Sequence, residues 1–222
     1  MKRGHWQILL AAALFLLALG LTLYPVVSNW YIGRHQSRIQ TEYREVLEQT
    51  DSAEIESIRK RAVAYNKTIT PGAAEEAYSQ ASIRLAAEDY VNQLNVSGSG
   101  IMGYVEIPKI GVDLPIYHGT GADSLDRGTG HLLGSSLPVG GESTHTIITG
   151  HSGMASQKMF TDLEKLRERD IFYLHVLDET LAYEVREIHT VLPHDTTYLG
   201  IEPGEDLCTL VTCTPTGVNT HR

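Results

Sequence analysis

Three residue types that together perform nucleophilic acyl transfer stand at marked places in this chain of 222 residues. Thr209-Leu210-Val211-Thr212-Cys213 is a β-prone stretch that ends in a cysteine, and Arg222 follows nine residues later. Upstream, His151 lies within Thr149-Gly150-His151-Ser152-Gly153. A thiol attacks an acyl carbon, an imidazole carries the protons, and a guanidinium holds the oxygen on which charge develops.

Each residue alone also has an ordinary reading. A cysteine at the end of an apolar strand is commonly buried and inert, a lone histidine is a surface or satisfied core residue, and a lone arginine belongs to a solvated face. The local sequence argues otherwise for the first two. Thr214-Pro215-Thr216-Gly217 describes a strand that opens into a loop at Cys213, and Thr146-Ile147-Ile148-Thr149 reads as a strand that delivers His151 between two glycines. Both side chains are therefore expected at the rim of a sheet. Arg222 joins them if its fork of donors faces Cys213. Zinc is the competing use of Cys and His, but neither Cys-x-x-Cys nor His-x-x-x-His occurs, so no metal or other cofactor is expected. Cys208 lies five residues before Cys213 on the same expected strand; an odd separation points the two thiols to opposite faces, which excludes a bridge between them.

Ahead of these elements, Ile8 to Val27 is a run of 20 residues without a charge, long enough to cross the hydrocarbon core of a bilayer. Because the apolar run continues through Leu21-Thr22-Leu23-Tyr24-Pro25 without a small-residue cleavage site, it reads as an uncleaved anchor. A short N-terminus that stays inside places the bulk of the chain outside, at the cell membrane, on a single N-terminal span. Residues 1–41 carry four Lys and Arg and no acid, leaving 14 Lys and Arg against 27 Asp and Glu in the remainder, a net charge of −13. An acidic body excludes nucleic acid as a partner, because that partner requires clustered positive charge.

After the anchor, Ile39, Tyr43, Val46 and Leu47, and then Ile55, Ile58, Ala62 and Tyr65, fall at helical spacing. Thr70-Pro71-Gly72 breaks the pattern, and a further helical stretch passes Tyr78, Ala81 and Leu85 before Ser97-Gly98-Ser99-Gly100. From there short strands are expected at Gly103–Ile107, Leu114–Tyr117, Thr146–Thr149, Ile171–Val176, Leu181–Ile188 and Leu207–Cys213, with one short helix through Phe160, Leu163 and Leu166. Leu181, Tyr183 and Val185 alternating with Ala182, Glu184 and Arg186 bury one face. The fold class is mainly β, a sandwich or closed barrel with short helices, preceded by a transmembrane helix and a helical arm. The expected division is residues 1–30 for the tip and anchor, 31–100 for the arm, and 101–222 for the barrel.

Taken together, these motifs resemble the sortases, extracellular cysteine transpeptidases of Gram-positive bacteria, whose signature is Thr-Leu-x-Thr-Cys with a later arginine and an upstream Thr-Gly-His. The likeness covers most of residues 101–222 and is nearest the class C, pilin-polymerising branch. It runs through Gly103-Tyr104-Val105-Glu106-Ile107-Pro108, Leu114-Pro115-Ile116-Tyr117-His118-Gly119-Thr120, Gly130-His131-Leu132, Ser136-Leu137-Pro138-Val139-Gly140-Gly141 and the residues from Thr214 to Arg222.

The resemblance implies a sortase-like closed barrel in which Cys213 attacks the Thr-Gly carbonyl of a Leu-Pro-x-Thr-Gly-like sorting signal. A thioacyl enzyme follows, which an amine resolves. It implies His151 as the proton carrier, Arg222 as the group that positions the signal and stabilises charge, and Thr212 as a further support of substrate or oxyanion. The partners would be pilin or surface proteins with that signal, and a pilin lysine or a cell-wall precursor as amine acceptor. A housekeeping-type sortase, a hydrolytic cysteine peptidase and an inactive surface β module are the other readings. Class C members usually carry an Asp-Pro-aromatic lid before the barrel; none occurs between residues 41 and 100, so any lid here would use another plug, such as Tyr65 or Tyr78. The family pattern also continues past Arg222 with another barrel strand and, in class C, often a second membrane span, so a C-terminal truncation or an open sheet edge is expected.

Overall fold

A computed structural model of the chain describes residues 2–70, 72–74, 88–154 and 157–222. The helical stretch expected around Tyr78, Ala81 and Leu85, and the plug assigned to Tyr78, lie outside the described residues.

The apolar run belongs to one continuous helix, α1 (Lys2–Gln49). Its window His5–Tyr24 has a mean hydropathy of 2.2 and no buried residue, which makes it a candidate membrane anchor by length and composition. Beyond that window the helix acquires a stripe that touches the rest of the molecule. Gln40 Nε2 donates to Asp113 Oδ1 at 2.6 Å, and Tyr43 Oη donates to the Met102 carbonyl at 3.1 Å while accepting from the Leu177 amide at 3.2 Å. Asp51 then starts α2 (Ser52–Asn66): its extended backbone and a 2.7 Å bond from the Ala53 amide cap the free helix end. Ile55, Ile58 and Ala62 of α2, with Tyr90 of the short helix α3 (Glu88–Val91) and Leu94, enter the same apolar core as the strands.

Seven strands form one sheet: β1 (Ile101–Ile107), β2 (Val112–His118), β3 (Thr129–His131), β4 (Thr144–Thr149), β5 (Ile171–Val176), β6 (Glu179–Glu184) and β7 (Asp206–Val211). Their order is β6-β5-β1-β2-β3-β4-β7. The β2–β3 and β4–β7 pairs are parallel, and the other pairs are antiparallel. The two edges meet through side chains, since Tyr183 Oη on β6 donates to Asp206 Oδ1 on β7 at 2.8 Å, and the sheet curls into a nearly closed barrel. Inside it, Val105, Ile107, Leu114, Ile116, Ile148, Phe172 and Leu174 make the core. Burying these apolar groups supplies the main drive to fold.

Three local expectations change. The strand read as Leu181–Ile188 ends at Glu184; the apolar alternation stops at Val185, and Ile188, which shares the parity of Glu184 and Arg186, is exposed. The helix read through Phe160, Leu163 and Leu166 is a single 3-10 turn, Leu163–Lys165, whose flanking Phe160 and Leu166 are buried. β7 ends at Val211, leaving Cys213 two residues beyond the strand instead of on its last position. β3 was not among the expected strands.

One buried polar network ties arm to barrel. His131 is fully buried: its Nδ1 faces Tyr90 Oη at 2.9 Å, and its Nε2 donates to the Ser136 carbonyl at 2.8 Å. The Gly119 amide donates to the same Tyr90 oxygen at 3.0 Å. A ring held this way is neutral; burial, with His118 nearby, depresses its pKa to about 4 against partial compensation from the Ser136 bond. The folded ring thus resists a proton that the unfolded chain accepts from pH 6.5 downward, so this contribution to stability is complete above pH 6.5 and is lost as the pH falls towards about 4. The expected loss is about 3 kcal/mol. Denaturant midpoints measured across that window should fall steeply for the unsubstituted chain and more gently for His131→Gln; equal slopes would refute the assignment.

Candidate active site

The pairing of β4 with β7 determines which residues meet at the rim. The two strands run parallel in register, and their last rung pairs Thr149 with Val211. The ladder does not stop there. The Gly150 amide donates to the Val211 carbonyl at 3.0 Å, Thr212 Oγ1 donates to the Gly150 carbonyl at 2.8 Å, and Ser152 Oγ donates to the Cys213 carbonyl at 2.5 Å. Continued at the same offset of 62 positions, Gly150 falls opposite Thr212 and His151 opposite Cys213. Neighbouring strands lie about 4.8 Å apart, so imidazole and thiol leave adjacent rim positions. Both residues are partly exposed.

Gly150 is required by what lies beneath it. A Cβ there would come within 2.7 Å of the Phe160 ring, which is fully buried. Phe160 in turn donates its amide to the His151 carbonyl at 2.9 Å, which turns the loop after His151 back onto the barrel. On the outer side of the imidazole, Nε2 is 3.7 Å from Oδ1 of Asp126, the residue that ends the short helix α4 (Ala122–Leu125).

Arg222 approaches from the opposite side of Cys213. Thr214 and His221 exchange both backbone bonds, at 3.0 and 2.8 Å, as an antiparallel bridge. In such a ladder the next opposed pair is Cys213 with Arg222. The Arg222 backbone is fixed on its other edge by Val191, again through two bonds, of 2.8 and 2.9 Å. The guanidinium Nη1 donates to the Asn219 and His221 carbonyls at 3.3 and 3.1 Å, and its Nε and Nη2 engage no acceptor among the described residues. Those donors are available to a substrate oxygen.

The fold thus gathers Cys213, His151 and Arg222 on one rim from three separate segments. Thr212 is there too, with its hydroxyl proton committed to the Gly150 carbonyl, so it joins the two rim segments. Cys208 is a free thiol packed against the core, and burial, together with the Asp206 charge, pushes its pKa up. Tyr65 packs beside Tyr90 with ring centroids 6.4 Å apart, and no bond or ring contact joins it to Cys213, His151 or Arg222 among the described residues. Asp126, Ser152 and Gln157 have no counterpart among the residues expected at the site. The described residues contain no group of three or more His, Cys, Asp or Glu side chains that could hold a metal ion.

The sortase domain family matches residues 105–222, a region that takes in every strand from β2 to β7 and all three rim segments. Among solved structures, Sortase C of Streptococcus pneumoniae is 44% identical, with a TM-score of 0.77 over 83% of this chain and 92% of that one. Sortase C1 of Streptococcus agalactiae is 42% identical, with a TM-score of 0.74 over 83% of this chain and 94% of that one. Sortase A of Streptococcus agalactiae serotype III is a more distant relative, 24% identical over 174 residues, 76% of this chain and 68% of that protein. One family pattern spans more than half of the chain and the nearly closed barrel is shared at over 40% identity: the chain belongs to the sortases, cysteine transpeptidases of the cell surface.

Proposed function

We propose that this sortase joins pilin subunits. Its Cys213 sulfur attacks the carbonyl between Thr and Gly of a Leu-Pro-x-Thr-Gly-like sorting signal, forming a thioacyl enzyme as the Gly amine departs. His151 gives that amine its proton and later takes one from the incoming nucleophile. Arg222 donates to the carbonyl oxygen as it gains charge, and Thr212 keeps the His151 and Cys213 segments together. The observation that carries this reading is the β4–β7 register, which delivers an imidazole and a thiol to adjacent positions on one rim.

The pilin assignment rests on likeness to the Streptococcus pneumoniae enzyme, which is described with pilin substrate specificity. The acceptor in this reading is a lysine amine of the next subunit, and the product is an isopeptide-linked fibre. Residues 1–30 serve as tip and single-pass anchor, 31–100 as an external arm, and 101–222 as the catalytic barrel, held outside the membrane.

The test supplies the full chain in detergent micelles with a sorting-signal peptide, alone and then with a pilin-derived lysine peptide or a cell-wall cross-bridge amine. The expected products are free acid without an amine and an isopeptide with the lysine peptide in preference to the cross-bridge. Free acid under every condition would remove transpeptidation from the assignment, and preference for the cross-bridge amine would make the enzyme a cell-wall anchoring sortase.

A further inference from the structure

Once a thioacyl enzyme has formed, its fate depends on whether water or an amine attacks it. A lysine amine arrives at neutral pH as an ammonium, which carries three N–H donors and no acceptor. Selecting it over water therefore calls for acceptor atoms on the open side of the imidazole.

Asp126 is on that side. Its side chain is 64% exposed, and among the described residues its carboxylate has no Lys or Arg within ion-pair distance. The 3.7 Å between its Oδ1 and His151 Nε2 exceeds a hydrogen bond, so the pair is no closed carboxylate–imidazole dyad, and both atoms keep capacity for a donor placed between them. Arg127, the adjacent cation in sequence, is turned away over the Tyr117 ring, 4.3 Å from its centroid.

Gln157 fixes the backbone beneath that carboxylate, since its Nε2 donates to the Asp126 carbonyl at 2.8 Å. An ammonium entering beside Asp126 would meet a carboxylate and an imidazole 3.7 Å apart, each able to accept one of its donors.

We infer that Asp126 and His151 form the docking site for the acceptor's primary ammonium, an inference that rests on the transpeptidase reading above. The docked ammonium passes one proton to His151, which is neutral after protonating the departing Gly amine. The freed nitrogen attacks the thioester carbonyl; the C–N bond forms, the C–S bond breaks, and the sulfur leaves with the electron pair as thiolate. The second nitrogen proton passes to solvent at Asp126, so one amide, one thiolate, one imidazolium and one released proton balance the starting ammonium, thioester and imidazole.

The experiment measures how the intermediate divides between amide and free acid, in the full chain in micelles at about pH 7. Nα-acetyl-lysine amide serves as the cationic acceptor and hydroxylamine as a neutral one. Asp126→Asn should lower the lysine-to-water product ratio about tenfold and move the hydroxylamine ratio much less, and Asp126→Glu should recover part of the loss. Because both products leave one intermediate, slower acylation cannot imitate the effect. An unchanged lysine ratio in Asp126→Asn overturns the inference alone. So does an equal fall for both nucleophiles, which would assign Asp126 to the positioning of His151. Failure of the unsubstituted chain to cleave the peptide overturns the transpeptidase reading and the inference with it.

Discussion

Cys213→Ala should end formation of the thioacyl enzyme, with cleavage of a sorting-signal peptide falling by roughly 10⁴-fold or more. Among the described residues the rim offers no substitute nucleophile. Cys208, the other thiol, sits within β7 packed against the core, and burial favours its protonated form. The rim hydroxyls of Ser152 and Thr212 have their protons held by the Cys213 and Gly150 carbonyls. Two measurements check this: release of a quenched fluorescent peptide, and the mass of the acylated protein trapped in acid. Cys208→Ala should still give the acylated mass. An adduct that survives Cys213→Ala, or disappears with Cys208→Ala in a folded protein, would move the nucleophile elsewhere.

His151→Ala is expected to slow acylation by about 10²- to 10⁴-fold, the range that a positioned proton carrier supplies. Its effect on folding should be small, because the loop is held by backbone bonds that alanine retains, such as that from the Phe160 amide to the residue 151 carbonyl. The half-exposed imidazole itself contributes little packing. The variant should keep the unfolding midpoint of the parent and still react with a thiol reagent at Cys213, while peptide cleavage collapses. Added imidazole should restore a fraction of the rate by occupying the vacated space. Cleavage within threefold of the parent would remove His151 from the chemistry.

The local features of this fold were readable to the degree that they are periodic. β5 was expected at Ile171–Val176 and stands there, because Phe172, Leu174 and Val176 alternate with more exposed neighbours over six residues. The stripe of Ile55, Ile58 and Ala62 on α2 was readable for the same reason. β3 has three residues, one of them Gly130, too few to display a period. The strand end at Glu184 was overrun because Ile188 is apolar, although Glu187, at the next alternate position after Val185, had already broken the alternation. The site divides in the same way. Cys213 and His151 could each be placed at a strand end from flanking residues, but that the two ends are neighbours depends on a parallel register across 62 positions, which only the family likeness supplied. Asp126 comes beside His151 from the end of the short helix α4, 25 positions earlier in the chain, and Gln157 holds the Asp126 backbone from the loop after His151, a juxtaposition that leaves no pattern in the chain.

That parallel register also makes the site a long-range one. β4 pairs on one edge with β3, its close neighbour in sequence, and on the other with β7, 62 positions further along the chain. Closing so long a loop costs entropy before any contact compensates it. Until the final strand zips alongside β4, the chain has a histidine and no nucleophile beside it. Thiol and imidazole thus come together only through the β4–β7 pairing, and any state in which those strands are apart separates them.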